Sequence, residues 1–213
     1  MKLTKRQQTI FDAIPRVNTL ADVGCDHGYV GMTALVTQKA NFVHFCDISA
    51  PSLSKAQDLA TKLGQKNCSF TCQDGLQTIK CDCAVIAGMG GLETISILSN
   101  TQTLPKLLVL QPMKNQYDLR KFLCKNYQIL LDFKFFDKKY YDLIVATQGS
   151  DTLTETELCF GKTNLALPGK DFVNYLKTEQ NKYKQILTKC NDQGVVNQLN
   201  LLNDVLNLVN GGK

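Results

Sequence analysis

The sequence predicts an α/β fold: a seven-stranded sheet with helices on both faces, followed by an α-helical hairpin at the C-terminus. Three observations carry this reading. Short apolar runs alternate with helical stretches through five units, the pattern of a mostly parallel sheet. Two further strand-like runs, YQILLDFKFF (127–136) and YYDLIVAT (140–147), follow with only Asp137 to Lys139 between them, too short for a parallel crossover, so they pair as an antiparallel hairpin. From Asp171 onward the apolar positions advance by four and three.

In order along the chain, Thr4 caps a helix running to about Ala13, with Ile10, Phe11 and Ile14 inward and Pro15 as its stop. LADVG (20–24) reads as a strand, 29–38 as a helix, and NFVHFCD (41–47) as the second strand. The helix over 51–63 has proline in its first turn and Gly64 after its end. SFTCQD (69–74), CAVIAG (83–88) and KLLVLQP (106–112) are strands, and 92–98 and 117–124 are helices. The C-terminal seam runs Phe172, Leu176, Glu179, Tyr183, Ile186, Cys190, then after a turn at 191–194 resumes at Val195, Leu199, Leu202, Leu206 and Val209. Seven strands with the hairpin last resemble the class I methyltransferase fold, a Rossmann-like sheet, more than a six-stranded dinucleotide fold. The expected division is a catalytic domain over 1–165 and a coiled-coil hairpin over 166–213.

A length of 213 residues suits one domain plus an appendage, and 44% hydrophobic with 20% charged residues is an ordinary globular balance. The net charge of +5 permits an anionic partner without requiring one. No apolar stretch follows the basic start at Met1 to Gln8, and no run approaches the ~20 apolar residues that span a bilayer, so a cytoplasmic protein without a membrane partner is expected. Nine cysteines raise the question of a metal. Cys68, Cys72, Cys81 and Cys83 are spaced Cys-x3-Cys and Cys-x-Cys, unlike a zinc finger, and are expected to be free thiols with no metal bound.

DVGCDHG (22–28) follows the first strand, where the ligand of such a sheet lies. Gly24 frees the turn, Asp26 tolerates a left-handed backbone, and Gly28 lets the next helix approach. A pyrophosphate would meet the Asp26 carboxylate and be repelled. S-adenosylmethionine has the opposite sign, carrying a sulfonium and an ammonium that Asp22 and Asp26 attract. Asp47 ends the second strand, where an acid accepts from ribose hydroxyls, and Asp74–Gly75 ends the third, where the adenine amino group would lie. IAGMGG (86–91) ends the fourth strand, and Gly88, Gly90 and Gly91 clear space for a planar substrate group.

Asp22 to Gly28, Ala87 to Gly91, LQPMKNQYDLRKFL (110–123), LTKRQQTIFDAIP (3–15) and the C-terminal hairpin together resemble the bacterial TrmK family over nearly the whole chain. The resemblance implies methyl transfer to N1 of adenine at tRNA position 22, which the RNA must expose by opening or flipping the nucleotide. Gly28 stands where alanine is expected, and Asp47 where glutamate is the alternative; both substitutions keep the chemistry.

The resemblance further implies that Asp22, Gly24, Asp26, His27, Asp47, Asp74, Gly88 and Met89 hold the methyl donor, with Cys25, Ile48 and Gly75 beside them. Asp22 is the expected stabiliser of the cationic product, and no general base is needed because N1 already carries a lone pair. Gly90, Gly91, Gln111 and Pro112 are expected at the substrate, and Lys5, Arg6, Lys114, Arg120 and Lys121 along its phosphates. A monomer is expected. Two other functions fit the same fold: a small-molecule methyltransferase, which would need an apolar lid, and a catalytically inactive tRNA-binding module.

Overall fold

The computed structural model describes residues 1–211. Strands β1 (Val17–Val23), β2 (Ala40–Asp47), β3 (Cys68–Cys72), β4 (Cys83–Ala87), β5 (Leu107–Gln111), β6 (Tyr127–Asp137) and β7 (Lys139–Gln148) form one sheet in the order β3-β2-β1-β4-β5-β7-β6. The first five strands pair in parallel, and β7 inserts antiparallel between β5 and β6. This is the class I methyltransferase arrangement expected from the sequence. β1 has β2 on one side and β4 on the other, so the chain reverses direction across the sheet there and opens a crevice at the strand ends.

The period-two alternation of the strands feeds two cores. Leu20, Phe45 and Val85 pack under α1 (Lys5–Ala13), α2 (Tyr29–Val36) and α3 (Ala50–Lys62). Ala21, Ile86 and Leu110 pack under α4 (Gly91–Ser99) and α5 (Gln116–Leu123). Thr4 caps α1 in a full capping box with Gln7. β1 begins three residues earlier than its apolar run suggests, because Val17 already pairs with Ala40 and donates to the Lys39 carbonyl at 2.8 Å. β3 stops at Cys72, although the Gln73 amide still donates to the Asp47 carbonyl of β2 at 3.1 Å.

After the sheet come α6 (Glu155–Phe160), α7 (Lys162–Ala166), α8 (Lys170–Leu187) and α9 (Gln193–Gly211). α6 and α7 are not expected from the apolar pattern, although Thr154 with Glu157 spells the capping box the structure shows. α8 and α9 form the expected hairpin, whose last two residues lie outside the described residues. Its seam closes only at the base, where Phe172, Leu176, Leu202, Val205, Leu206 and Val209 are buried with Phe160. Toward the turn it opens: Tyr183, Ile186, Val195 and Leu199 are half-buried and Cys190 is exposed. The boundary expected at 165/166 falls beside the end of α7, whose Leu165 packs on this helical core while Asn164 accepts from the Lys134 amide of β6 at 2.9 Å.

β6 is an edge strand, and its outward amides are covered by side chains from the C-terminal segment. Ile129 donates to Asp151, Asp132 to Thr163, Lys134 to Asn164 and Phe136 to Asp171, all at 2.9–3.0 Å. An edge whose amides are already occupied offers little to another strand.

Arg120 does not lie where a phosphate-following cation is expected. Arg120 is 1% exposed and cannot follow a phosphate. All five guanidinium N–H groups are spent inside the protein. Nε and Nη2 donate to the two Asp132 oxygens at 2.7 and 3.0 Å, Nη2 also to Asp142 at 3.2 Å, and Nη1 to the carbonyls of Leu158 and Cys159 at 3.0 and 3.3 Å. Lys134 completes the cluster at 2.7 Å from Asp142 and lies 4.2 Å over the Tyr175 ring of α8. The sequence misled because the α5 stretch is rich in bases; only the acids on β6 and β7, at alternate positions facing one side, hint that one base is internal. Gly161 turns with φ +88°, and a Cβ there would stand 2.7 Å from Asp132 Oδ1, so the chain passes tightly over the cluster.

Breaking a buried ion pair from one side strands its partners. Arg120→Met is therefore expected to lower unfolding free energy by about 3–5 kcal/mol in urea titrations. A variant in which Arg120, Asp132, Asp142 and Lys134 are all replaced by apolar side chains is expected to regain most of that loss.

Candidate active site

The turn after β1 is built from three left-handed residues, Gly24 (φ +66°), Asp26 (φ +46°) and Gly28 (φ +67°). Asp26 is the one without glycine's freedom, as anticipated from its side chain. Four hydrogen bonds hold the turn. Gly24 and Cys25 both donate to the Cys46 carbonyl of β2, at 2.8 and 3.3 Å. Asp26 donates its amide to Asp47 Oδ2 at 3.0 Å, and Gly31 in α2 donates to Asp22 Oδ2 at 2.9 Å. A Cβ at Gly28 would stand 2.9 Å from that of Ala56 and 3.1 Å from the Phe45 ring, so the alanine expected at this position would enter only with a shift of those neighbours.

The turn sits at the middle of a cleft with two halves that share Val23 and Gly24. One half, toward β2 and β3, is lined by Asp47, Ile48, Gln73, Asp74, Gly75 and Met89. The other, between α1 and the ends of β1 and β4, is lined by Arg6, Asp22, Cys25, Asp26, His27 and Tyr29 among others. The Met89 side chain lies directly against Gly24, where any Cβ would collide with it. Gly75 has φ +70°, and a Cβ there would stand 2.8 Å from Ile97, so α4 packs closely on the half toward β2 and β3. All eleven residues expected at the methyl donor except Gly88 therefore line this cleft, and Gly88 adjoins it through Ala87.

The acids differ in state. Asp22 is buried, and loss of water pushes its pKa up to about 7; the Gly31 amide opposes this and the charge of Asp47 adds to it. Burial also works to raise Asp26, but His27 and Lys55 outweigh it and hold the carboxyl below its ordinary value. His27 Nδ1 is 2.6 Å from Asp26 Oδ2, and Lys55 Nζ is 3.6 Å from Oδ1. The His27 ring stacks on Tyr29, with planes 10° apart and centroids at 5.4 Å. Burial pushes the Cys25 thiol up, which keeps it protonated and unreactive. Among the described residues no group of His, Cys, Asp and Glu could hold a metal ion.

The residues expected at the substrate divide. Gly88 has φ +82° and its open side faces Arg6, whose guanidinium nitrogens stand 3.9 Å from where a Cβ would be. Gly90 is buried, and a Cβ there would meet the Lys114 side chain first, at 3.1 Å from Cε. Gly91 is corrected: it is buried, and a Cβ would run into the backbone of Lys114 and Asn115, so this glycine serves packing. Gln111 and Pro112 are corrected likewise. Both are buried, and their segment scaffolds the glycine turn through Gly88 N–H to the Gln111 carbonyl (3.1 Å), Met113 N–H to Met89 (2.8 Å) and Gly91 N–H to Lys114 (2.8 Å). Lys5, Lys114 and Lys121 are exposed. Lys5 reaches the Phe136 carbonyl, and Lys121 lies 5.9 Å over the Tyr117 ring.

A sheet of this order with an acid-bearing turn after β1 and an open glycine turn after β4 defines a class I methyltransferase. Residues 3–144 match the family model described as a methyltransferase domain. A Bacillus subtilis (strain 168) protein named tRNA (adenine(22)-N(1))-methyltransferase is 33% identical over 158 residues, 70% of this chain and 66% of that protein. The chain thus spans just under two thirds of that relative by sequence. The crystal structure of the B. subtilis M1A22 tRNA methyltransferase TrmK superposes over 99% of this chain and 98% of its own, with a TM-score of 0.79 and 26% identity. M. capricolum TrmK in complex with S-adenosyl-homocysteine superposes over 98% and 100%, with a TM-score of 0.89 and 23% identity. The chain belongs to the TrmK family.

The buried state of Asp22 has a pH signature. A carboxyl whose folded pKa lies above its unfolded value of 3.8 holds its proton more tightly in the fold, so stability declines as pH rises from about 4 to about 7 and is level above that. A shift of this size corresponds to at most about 4 kcal/mol. Asp22→Asn retains an acceptor for Gly31, and denaturant titrations at pH 5 and pH 8 are expected to show a smaller loss of stability across that interval than in the parent.

Proposed function

We propose that this chain uses S-adenosylmethionine to methylate N1 of the adenine at position 22 of tRNA. The observation that carries the reading is the divided cleft. Its acids fit a cation-bearing nucleoside and leave no welcome for a pyrophosphate, and it opens beside a side-chain-free turn at Gly88. The family name supplies the nucleotide.

Asp47 and Asp74 would hold the adenosine half. Asp47 already accepts from Asp26 and, through Oδ1, from Ser49 at 2.9 Å, so each oxygen has one lone pair left for a ribose hydroxyl. When bound, the cofactor supplies an electrophilic methyl group on sulfur. The protein's part is alignment and exclusion of water, since adenine N1 attacks through its own lone pair. Asp22 lies in the cleft at the turn, and a carboxylate there offsets the positive charge that the methylated base acquires. The exposed cations Lys5, Lys114 and Lys121 would meet phosphates around the mouth.

The test is methyl transfer to unmodified tRNA transcripts. A transcript with adenine at position 22 is expected to gain one methyl at N1, and the same transcript with guanine there is expected to gain none. Transfer to neither, or to both equally, refutes the proposed specificity.

The C-terminal hairpin is proposed to grip the RNA. Lys177, Lys182, Lys184 and Lys189 are exposed along it. Changing all four to Gln keeps helix propensity. It is expected to weaken tRNA binding and to flatten its salt dependence, by about 0.9 in log–log slope per lost duplex phosphate contact, while leaving binding of the methyl donor unchanged. Equal affinity across salt concentrations would make these lysines a solvated face.

A further inference from the structure

On the side of the sheet away from α1, a cavity of about 200 Å³ opens between the start of α5, the start of β7 and the base of α8. It shares no lining residue with either half of the cleft. Both nevertheless lie at the same end of the sheet. β7 runs antiparallel to β5, so its first residues stand beside the end of β5, where the cleft opens. Tyr140 and Tyr141 mark the division, since neighbours in a strand point to opposite faces. Tyr141 lies 5.5 Å from the Arg6 guanidinium of α1, and Tyr140 meets Tyr175 of α8. Gln116, also at the cavity, is two residues beyond Lys114, which covers the glycine turn.

The cavity is neutral, aromatic and supplied with unused hydrogen-bonding groups. Beneath it lies the cluster of Arg120 and Lys134 with Asp132 and Asp142, two bases already paired with two acids. A phosphate finds no free cation there. Tyr140 meets Phe136 and Tyr175 edge-on, at 5.0 and 5.4 Å with planes 63° and 67° apart, so it lies flat on neither. The hydroxyls of Tyr140 and Tyr175 and the side-chain amide of Gln116 make no hydrogen bond with any described residue. Burial pushes the Tyr175 phenol up, which keeps it a donor. The volume falls below the roughly 300–1,000 Å³ of pockets that enclose a whole small ligand. It suits one uncharged flat ring of a larger molecule. Unpaired nucleobases are such rings: they stack on aromatic side chains while their edges take hydrogen bonds. Exposed lysines sit on the elements that frame the cavity: Lys114 before α5, Lys138 and Lys139 at the β6–β7 turn, and Lys170 at the start of α8. These are cations for a nucleic-acid backbone outside a neutral pocket.

We propose that this cavity is a second nucleotide site, which takes one unpaired base of the RNA other than the adenine to be methylated. This rests on the tRNA substrate proposed above. Tyr140 and Tyr175 provide the stacking surface, and Gln116 with the two hydroxyls makes the edge contacts. With one base held at the root of the hairpin and another at the glycine turn, the enzyme gauges the distance between two nucleotides. That is a check on the folded shape of the RNA.

The test plugs the cavity without touching its ion pairs. Cys159 lines it from the end of α6 and is exposed. Cys159→Trp is expected to weaken binding of an unmodified tRNA transcript about five- to a hundredfold, the range for loss of one stacked base. Cys159→Ser is expected to bind as the parent does. The slope of log affinity against log salt is expected to stay unchanged, because a base contact releases no counterions. Transcripts carrying one abasic nucleotide at each unpaired position in turn identify the occupant. One of them is expected to bind the parent less tightly than the intact transcript does, and to bind Cys159→Trp equally well. Gln116→Ala, which removes edge contacts and leaves the rings in place, is expected to repeat the pattern in weaker form. It decides the question if the tryptophan variant does not fold. The proposal is overturned if the variants bind the transcript as the parent does, or if their salt slope flattens, which marks a phosphate site. It is equally overturned if every abasic transcript loses as much in the variants as in the parent. A parent that binds tRNA while indifferent to the cavity overturns this site alone, and one that binds no tRNA overturns the RNA reading with it.

Discussion

Asp47 is the residue on which the geometry of the site depends. Its two carboxylate oxygens accept from the amides of Asp26 and Ser49, so the turn after β1 and the cap of α3 hang from a single side chain at the end of β2. Without that acceptor nothing but the Cys46 carbonyl would fix the turn to the neighbouring strand. Each hydrogen bond to a charged group is worth roughly 1.5–3 kcal/mol, comparable with the strain of one non-glycine residue in the left-handed region. Asp26 can therefore hold its unusual backbone because Asp47 compensates for it. The acids of the cleft are scaffold first, and their remaining lone pairs are what a ligand meets.

A second set of charges performs the corresponding task at the other edge of the sheet. The Arg120 cluster draws together α5, β6, β7 and the end of α6, and Lys134 extends it to Tyr175 on α8. Side chains of Asp151, Thr163, Asn164 and Asp171 add bonds along β6. The hairpin is thus welded to the sheet at its base, where its seam is tight, and free toward its turn, where the seam residues are half-exposed.

The sequence revealed the fold through periodicity, which survives without any knowledge of partners. Leu20, Phe45 and Val85 alternate with residues of the opposite core, and the three residues between the apolar runs 127–136 and 140–147 permit only a hairpin, which the structure tightens to Lys138 alone. The cleft was legible where backbone needs and side-chain chemistry coincide, as in Gly24, Asp26 and Gly28, whose left-handed angles and acid are both written in the residue types. It was illegible where one residue type serves opposite ends. Arg120 and Lys121 are neighbours in a basic run, yet a turn of helix puts one into the core and the other into solvent. Gly88 and Gly91 look alike, but the partner of Gly91 is backbone some 24 residues ahead, which no local pattern announces. The Asp47 brace was equally hidden, because an acid at a strand end reads the same whether it awaits a ribose or an amide.

The distribution of charge resolves what the net value of +5 left open. The cleft itself is acidic, with Asp22, Asp26, Asp47 and Asp74 along its length and Arg6 as its one permanent cation. Exposed lysines lie around it, among them Lys5 at the start of α1, Lys114 beside the glycine turn, Lys121 on α5 and four along the hairpin, with others such as Lys62, Lys66 and Lys106 spread over the rest of the surface. A polyanion approaching this surface is attracted by the periphery and repelled by the interior, so its backbone settles on the rim while only an uncharged base is tolerated further in. A small cation meets the reverse field and is drawn inward. On the proposed function, one surface would in this way sort a polyanionic substrate from a cationic methyl donor by sign, and the buried Asp22, whose pKa is pushed up to about 7, is the group whose charge an arriving cation would complete.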